Sequence, residues 1–270
     1  HAKLRAIMGV GDWDEKTSFD WRRIRDNVCQ LRPATIDAIS QIIVAEGHII
    51  APEAIAHVRA DSFVMETDIH YPTESSLLRD GIRSILSRCL PIVEADQISG
   101  WRQHRHCWKK VKNLCRRIDR IAQKKGPNYQ ARMKTFYRDL LKETEQIIGR
   151  ARLLCVQQNL TAAATDDIFG DHTLQAFIAR TERVLDTARR RVLLGECVPN
   201  SDKLFSMFEP HTQLYRRGKA GQPNQFGRQV LVFEDSAGFL IHRSLMPRNK
   251  SDKEVAVEQT KIVQQRFGNA

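Results

Sequence analysis

Ala60-Asp61-Ser62-Phe63-Val64-Met65-Glu66-Thr67-Asp68-Ile69, closed by His70-Tyr71-Pro72-Thr73, is the stretch on which the fold turns. It is rich in β-branched and aromatic residues and ends in a run that breaks regular structure, so it reads as a single strand. Period two places Asp61, Phe63, Met65 and Thr67 on one face and Ser62, Val64, Glu66 and Asp68 on the other. The chain around it is otherwise helical. Trp21, Ile24, Val28 and Leu31 recur at helical spacing before Pro33. A second helix is expected from about Ala34 to Glu46 through Ile36, Ile39, Ile42 and Ile43, with Gly47 as its stop.

From about Glu74 to Leu194 the helical pattern continues almost without a break. One stripe is Trp108, Val111, Leu114, Ile118 and Ile121. A second runs from Met133 and Phe136 to Leu154 and Cys155, and a third runs from Leu174 to Val192 beyond a weaker connection, Thr161–Gly170. Such helices form a bundle or hairpin stack, in which Trp101 and Trp108 are core residues. After Pro199 the period returns to two. Gln229–Phe233 and Gly238–His242 read as strands joined by a turn at Glu234-Asp235-Ser236-Ala237. Ser251-Asp252-Lys253-Glu254 opens a last helix ending at Phe267 and Gly268.

The order is therefore strand, long helical insertion, hairpin, helix. This is an α/β chain, helix-rich, whose mixed sheet is interrupted after its first strand. The domains expected are a helical segment over 1–55, a discontinuous sheet domain over 56–80 and 200–270, and a basic helical insertion over 81–199.

The 270 residues carry a net charge of +11, and its placement matters more than its size. Residues 101–160 hold 16 Lys and Arg against four acids, a net of +12; the remaining 27 basic and 28 acidic residues come to −1. One segment carries the whole excess, as expected of a surface built for a polyanion. The candidate DNA-binding residues are Arg102, Arg105, Lys109, Lys110, Lys112, Arg116, Arg117, Lys124 and Lys125. If about six cations of this segment meet phosphates, log K falls with log salt at a slope of roughly −5.

No apolar run approaches 18 residues, which excludes a membrane-spanning helix by this criterion. No leader is legible, so a cytoplasmic setting is expected, and with His1 in first place the chain reads as part of something longer. The six cysteines are widely and irregularly spaced, as reduced thiols would be. His104, Cys107 and Cys115 suit one helical face, but the paired knuckles of structural zinc sites are absent and Cys115 also fits the apolar stripe.

Asp61 is the candidate catalytic residue and metal ligand. A carboxylate fixed on a strand can be aimed into a site, and two-metal phosphoryl-transfer enzymes hold two Mg²⁺ on such acids. A second constellation is Phe208-Glu209-Pro210-His211-Thr212 leading into Arg216-Arg217-Gly218-Lys219-Ala220-Gly221 and Phe226-Gly227. Arg216, Arg217 and Lys219 among glycines suit phosphate contact. There is no Walker spacing, so nucleotide hydrolysis has no support.

The run from Ala60 to Gly81, together with this second run and Gly238-Phe239-Leu240-Ile241, resembles bacterial insertion-sequence transposases of the DDE class. The resemblance is to ISNCY-type and related enzymes with an RNase H-like catalytic domain, and extends from about Leu31 to the end. It implies DNA transposition by strand nicking and strand transfer, with two Mg²⁺, double-stranded DNA as element ends and target, a homo-oligomer, and a bacterial, nucleoid-associated setting. Asp61 matches the first Asp of the triad. The second Asp, on a strand after the helix ending near Phe267, and the later Glu are not among these residues, so this chain by itself is expected to be inactive. Asp68, Asp235 and Asp252 do not match the triad positions. A different reading keeps Asp61 structural and makes the chain a non-catalytic nucleic-acid-binding helical protein using residues 101–160.

Overall fold

A computed structural model describes residues 5–6, 9–11, 13–14, 17–18, 20–159, 172–216, 221, 223–248 and 250–268. Its helices are α1 (Trp21–Cys29), α2 (Pro33–Ile50), α3 (Glu74–Ala95), α4 (His104–Lys124), α5 (Tyr129–Gln157), α6 (Leu174–Ala188) and α7 (Asp252–Phe267). A short 3₁₀ helix (Pro52–Ala56) follows α2, and a π-helical turn (Arg189–Leu194) follows α6. The strands are β1 (Val58–Glu66), β2 (Gln213–Tyr215), β3 (Gln225–Asp235) and β4 (Leu240–Leu245). The fold is mixed α/β: helix-rich, with one small four-stranded antiparallel sheet. The expected connection at Thr161–Gly170 lies outside the described residues.

In the sheet β3 is central. β1 is one neighbour; β2 pairs with β3 from Gln213 opposite Gly227 to Tyr215 opposite Gln225, and β4 pairs with it from Val230 opposite Leu245 onward. Gly227 sits inside β3. The reason for a glycine is steric: a Cβ there would lie 2.0 Å from the carbonyl oxygen of Met65 on β1. Only glycine lets these two backbones approach so closely.

The chain divides into two compact units, residues 1–63 with 230–270, and residues 64–229. This differs from the three segments expected from sequence. α2 contributes Val44 to a core with Leu231, Phe233, Ile241, Met246, Val255 and Val263. α2 also runs through Gly47, where a stop was expected. Gly47 is buried, and the Phe239 ring reaches to 2.4 Å from where its Cβ would stand. The glycine therefore serves packing, not termination. Ile39, Ile42 and Ile43, read as a core-facing stripe, remain exposed.

Within this first unit, His48 on α2 binds Asp235 at the end of β3, Nε2 to Oδ2 at 2.8 Å. Asp235 Oδ1 accepts the backbone N–H groups of Ala237 and Phe239. One buried carboxylate thus shapes the β3–β4 turn and fastens it to a helix. Helix α7 opens as its sequence dictates: Ser251 and Glu254 cap each other's backbone N–H groups.

The second unit is built on one large core. Leu78, Ile82 and Ile85 of α3, Val111 and Leu114 of α4, Leu140 and Ala151 of α5, and Phe177 and Val184 of α6 are all buried in it. Trp101 joins the same core, and Trp108 packs against it. Thr73 caps α3 in a reciprocal box with Ser76. This unit holds α4 and α5, and so most of the positive charge.

Candidate nucleic-acid interface

Helix α4 turns a narrow apolar side inward: Val111, Leu114, Cys115, Ile118 and Ile121 are buried. The opposite side carries Arg105, Lys109, Lys112, Arg116 and Arg120. At 100° per residue these five fall within an arc of about 80°, along about 22 Å of helix. Amphipathicity therefore does two jobs at once, since the residues that bury one side leave a row of cations on the other. Asp119 flanks this row, with Ser75 Oγ donating to its Oδ1 at 3.4 Å.

Pairing separates usable charge from structural charge. Lys110 is consumed by an ion pair with the buried Glu143 of α5, and that hydrogen bond raises the lysine above its ordinary range. Arg117 lies over the Phe136 ring at 5.5 Å, and Lys112 over the Trp108 ring at 5.4 Å. Lys124 and Lys125 stand at the C-terminus of α4, where cations offset the helix dipole. Among the described residues, Arg102, Arg105, Lys109, Arg116 and Arg120 make no ion pair with a carboxylate, and all are exposed. Arg120 was not singled out from sequence. Its signal was present, one turn beyond Arg116 on the same side.

The contrast with Arg189-Arg190-Arg191 is instructive. That run looks the more obvious polyanion site, yet Arg189 pairs with Glu145, Arg190 with Glu196 at 2.8 Å, and Arg191 with Glu74 at 2.7 Å. Its charge is spent inside the protein.

No family model, curated protein or solved structure matches the chain.

Asp61 lies on β1, exposed, together with Phe63 and Met65 on the same face. Its Oδ1 accepts the backbone N–H of Ser62 at 2.8 Å. The cavity of about 800 Å³ beside β1 is lined by Val58, Arg59 and Ala60, and Asp61 is not among its lining residues. Among the described residues no three His, Cys, Asp or Glu side chains converge. Mg²⁺ takes six hard oxygen ligands, and a pair of ions needs several carboxylates. One exposed carboxylate does not fit such a pair.

Arg216 is exposed beyond β2; Arg217 and Lys219 lie outside the described residues. β2 precedes Arg216, and Thr212 ahead of it is buried, 3.0 Å from the Thr67 hydroxyl. Cys115 is a core thiol donating to the Ser75 carbonyl at 3.4 Å, and His104 Nδ1 contacts the Trp101 carbonyl. All six cysteines are free thiols. Among the described residues no helix is long and apolar enough to cross a membrane.

Proposed function

We propose that this chain binds double-stranded DNA through the outer side of α4, as part of a DDE-type transposase. The observation that carries the reading is the row Arg105, Lys109, Lys112, Arg116 and Arg120, which no carboxylate neutralises. Evenly spaced cations on a rigid rod suit the regular charge of a duplex backbone, and contacts of this kind position a protein without reading sequence. Arg102 extends the row at its N-terminal end.

Transposition is the activity that the resemblance around Asp61 implies, and the sheet supports it in one respect. An RNase H-like sheet opens with three antiparallel strands in chain order. Here β3 neighbours β1 and pairs with β4, while the short β2 also pairs with β3 and the helical stretch lies in the chain between β1 and β2. The nucleoid setting and the homo-oligomer belong to the same proposal, as does a Mg²⁺ pair in the complete enzyme, which Asp61 alone does not hold. The other reading, a non-catalytic DNA-binding protein, is favoured by the exposure of Asp61 and by the absence, among the described residues, of three His, Cys, Asp or Glu side chains that converge.

Two experiments test these readings. Titration of a labelled 20-base-pair duplex is expected to show binding that weakens steeply with salt; affinity indifferent to salt overturns the DNA reading. Incubation of this chain with supercoiled plasmid and Mg²⁺ is expected to leave the plasmid intact. Nicking that disappears in Asp61→Ala would show that the chain completes a metal site after all.

A further inference from the structure

The second unit holds a cleft of about 120 Å³ that the basic row does not explain. Pockets for drug-sized ligands run to about 300–1,000 Å³, so this one has room for a single planar ring. Its floor is apolar, made by Leu77, Leu204 and Phe205. Its wall is aromatic: Tyr71 and Phe226 stand edge to face at 5.7 Å, and Phe205 meets Phe226 at 5.6 Å. Tyr71 is 68% exposed, a large ring held at the mouth by one aromatic neighbour.

The rim is cationic. Arg191 is neutralised by Glu74, but Lys203 makes no ion pair among the described residues and donates to the Asn200 side-chain oxygen at 3.4 Å. Arg216 makes no ion pair among the described residues. A ligand suited to this cleft has a flat ring for the wall and floor, and an anionic group for Lys203 and Arg216. A nucleotide has both. A paired base in a duplex does not fit, because its faces are already covered by its neighbours. Aromatic stacking on an unpaired base is favourable and tolerant of sequence.

We propose that this cleft takes an unpaired nucleotide at the end of a DNA strand, its base against Tyr71 and Phe226 and its phosphate on Lys203 and Arg216. The inference rests on the DNA reading above and goes beyond it, since the α4 row has no means of distinguishing paired from unpaired strands.

The test compares anisotropy titrations of a blunt 20-base-pair duplex with the same duplex carrying three unpaired nucleotides, at the 3′ end in one arm and the 5′ end in another. At least one overhang is expected to bind about fivefold tighter or more, the ratio that one stacked base supplies at about 1 kcal/mol. An abasic overhang, which keeps the phosphates, is expected to lose most of this preference. Tyr71→Ala is expected to bring the ratio to about one, and Tyr71→Trp to keep it. Equal affinity for blunt and overhanging duplexes overturns this inference and leaves the DNA reading standing. So does a preference that survives in Tyr71→Ala. Binding to neither overturns both.

Discussion

Removing two cations from the outer row of α4 is expected to change the salt dependence of DNA binding by a calculable amount. If each of Arg105, Lys109, Lys112, Arg116 and Arg120 meets one phosphate, log K falls with log salt at a slope of about −4.5. Between 50 and 200 mM salt that is a loss of about 500-fold. The double variant Arg116→Gln/Arg120→Gln keeps three contacts, so its slope is about −2.7 and its loss about 40-fold. Both arginines are exposed, so the variant is expected to fold as the parent does. Anisotropy of a labelled duplex at five salt concentrations measures the slope directly. Arg152→Gln is the matched control: it deletes a charge from the same basic segment, but one paired with Glu182 at 2.6 Å. An unchanged slope in the double variant would refute the assignment to α4. A reduction in the control half as large as that in the double variant would mean that total charge, not the exposed row, sets the affinity.

Other expected outcomes concern the fold. Gly227→Ala sets a methyl against the Met65 carbonyl, backbone against backbone, and urea denaturation is expected to show a loss of about 3 kcal/mol or more. A loss within 0.5 kcal/mol would show that β1 and β3 are not so close. Burial by itself would raise Asp235, but the hydrogen bonds from His48 and from the Phe239 and Ala237 N–H groups outweigh it and hold the carboxyl below its usual range. Its folded pKa is therefore below the unfolded value near 4, so its contribution is complete above about pH 4 and is lost as pH falls through the folded pKa. Asp235→Ala is expected to cost about 3 kcal/mol at neutral pH and to flatten the acid limb of the stability profile; a parallel limb in parent and variant would assign the acid sensitivity elsewhere. Burial pushes the Cys89 and Cys115 thiols up to about 12, whereas Cys29 and Cys197 are exposed. Alkylation at pH 7.5 followed by peptide mass mapping is expected to label Cys29 and Cys197 first and to spare Cys89 and Cys115 until unfolding.

Where the sequence was legible, a local rule decided the outcome. The α7 start was readable because Ser251 and Glu254 form a capping box at fixed spacing, and the hairpin was readable because Glu234-Asp235-Ser236-Ala237 marks a turn between two alternating runs, although the second strand begins at Leu240 and not at Gly238. The stripe on α4 was readable because the helical period sorts apolar from basic residues. What failed depended on partners distant in sequence. Gly47 carries the local signature of a helix stop, and only Phe239, 192 positions later, shows it to be a packing site. Nothing local marks Gly227 as the point where β3 meets Met65. The exposure of Ile39, Ile42 and Ile43 had no local signal, since periodicity gives the side of a helix and not what covers it.

Charge obeys the same distinction, and this limits what a count of basic residues can say about a site. The three consecutive arginines at 189–191 have high local density, but folding brings Glu145, Glu196 and Glu74 to them from three different places in the chain. The α4 cations are more spread out, yet the two helices nearest in sequence offer them a single buried acid partner, Glu143, which takes Lys110. A phosphate competes poorly for an arginine already held by a carboxylate, because binding must first break that pair. It competes well for one whose only partner is water, because association then releases counterions from the DNA at little cost to the protein. The net of +12 over residues 101–160 therefore marks the right segment for a physical reason that the sum does not contain: Lys110 and Arg152 are held by Glu143 and Glu182, while Arg105, Lys109, Lys112, Arg116 and Arg120 on the outer side of α4 make no ion pair among the described residues.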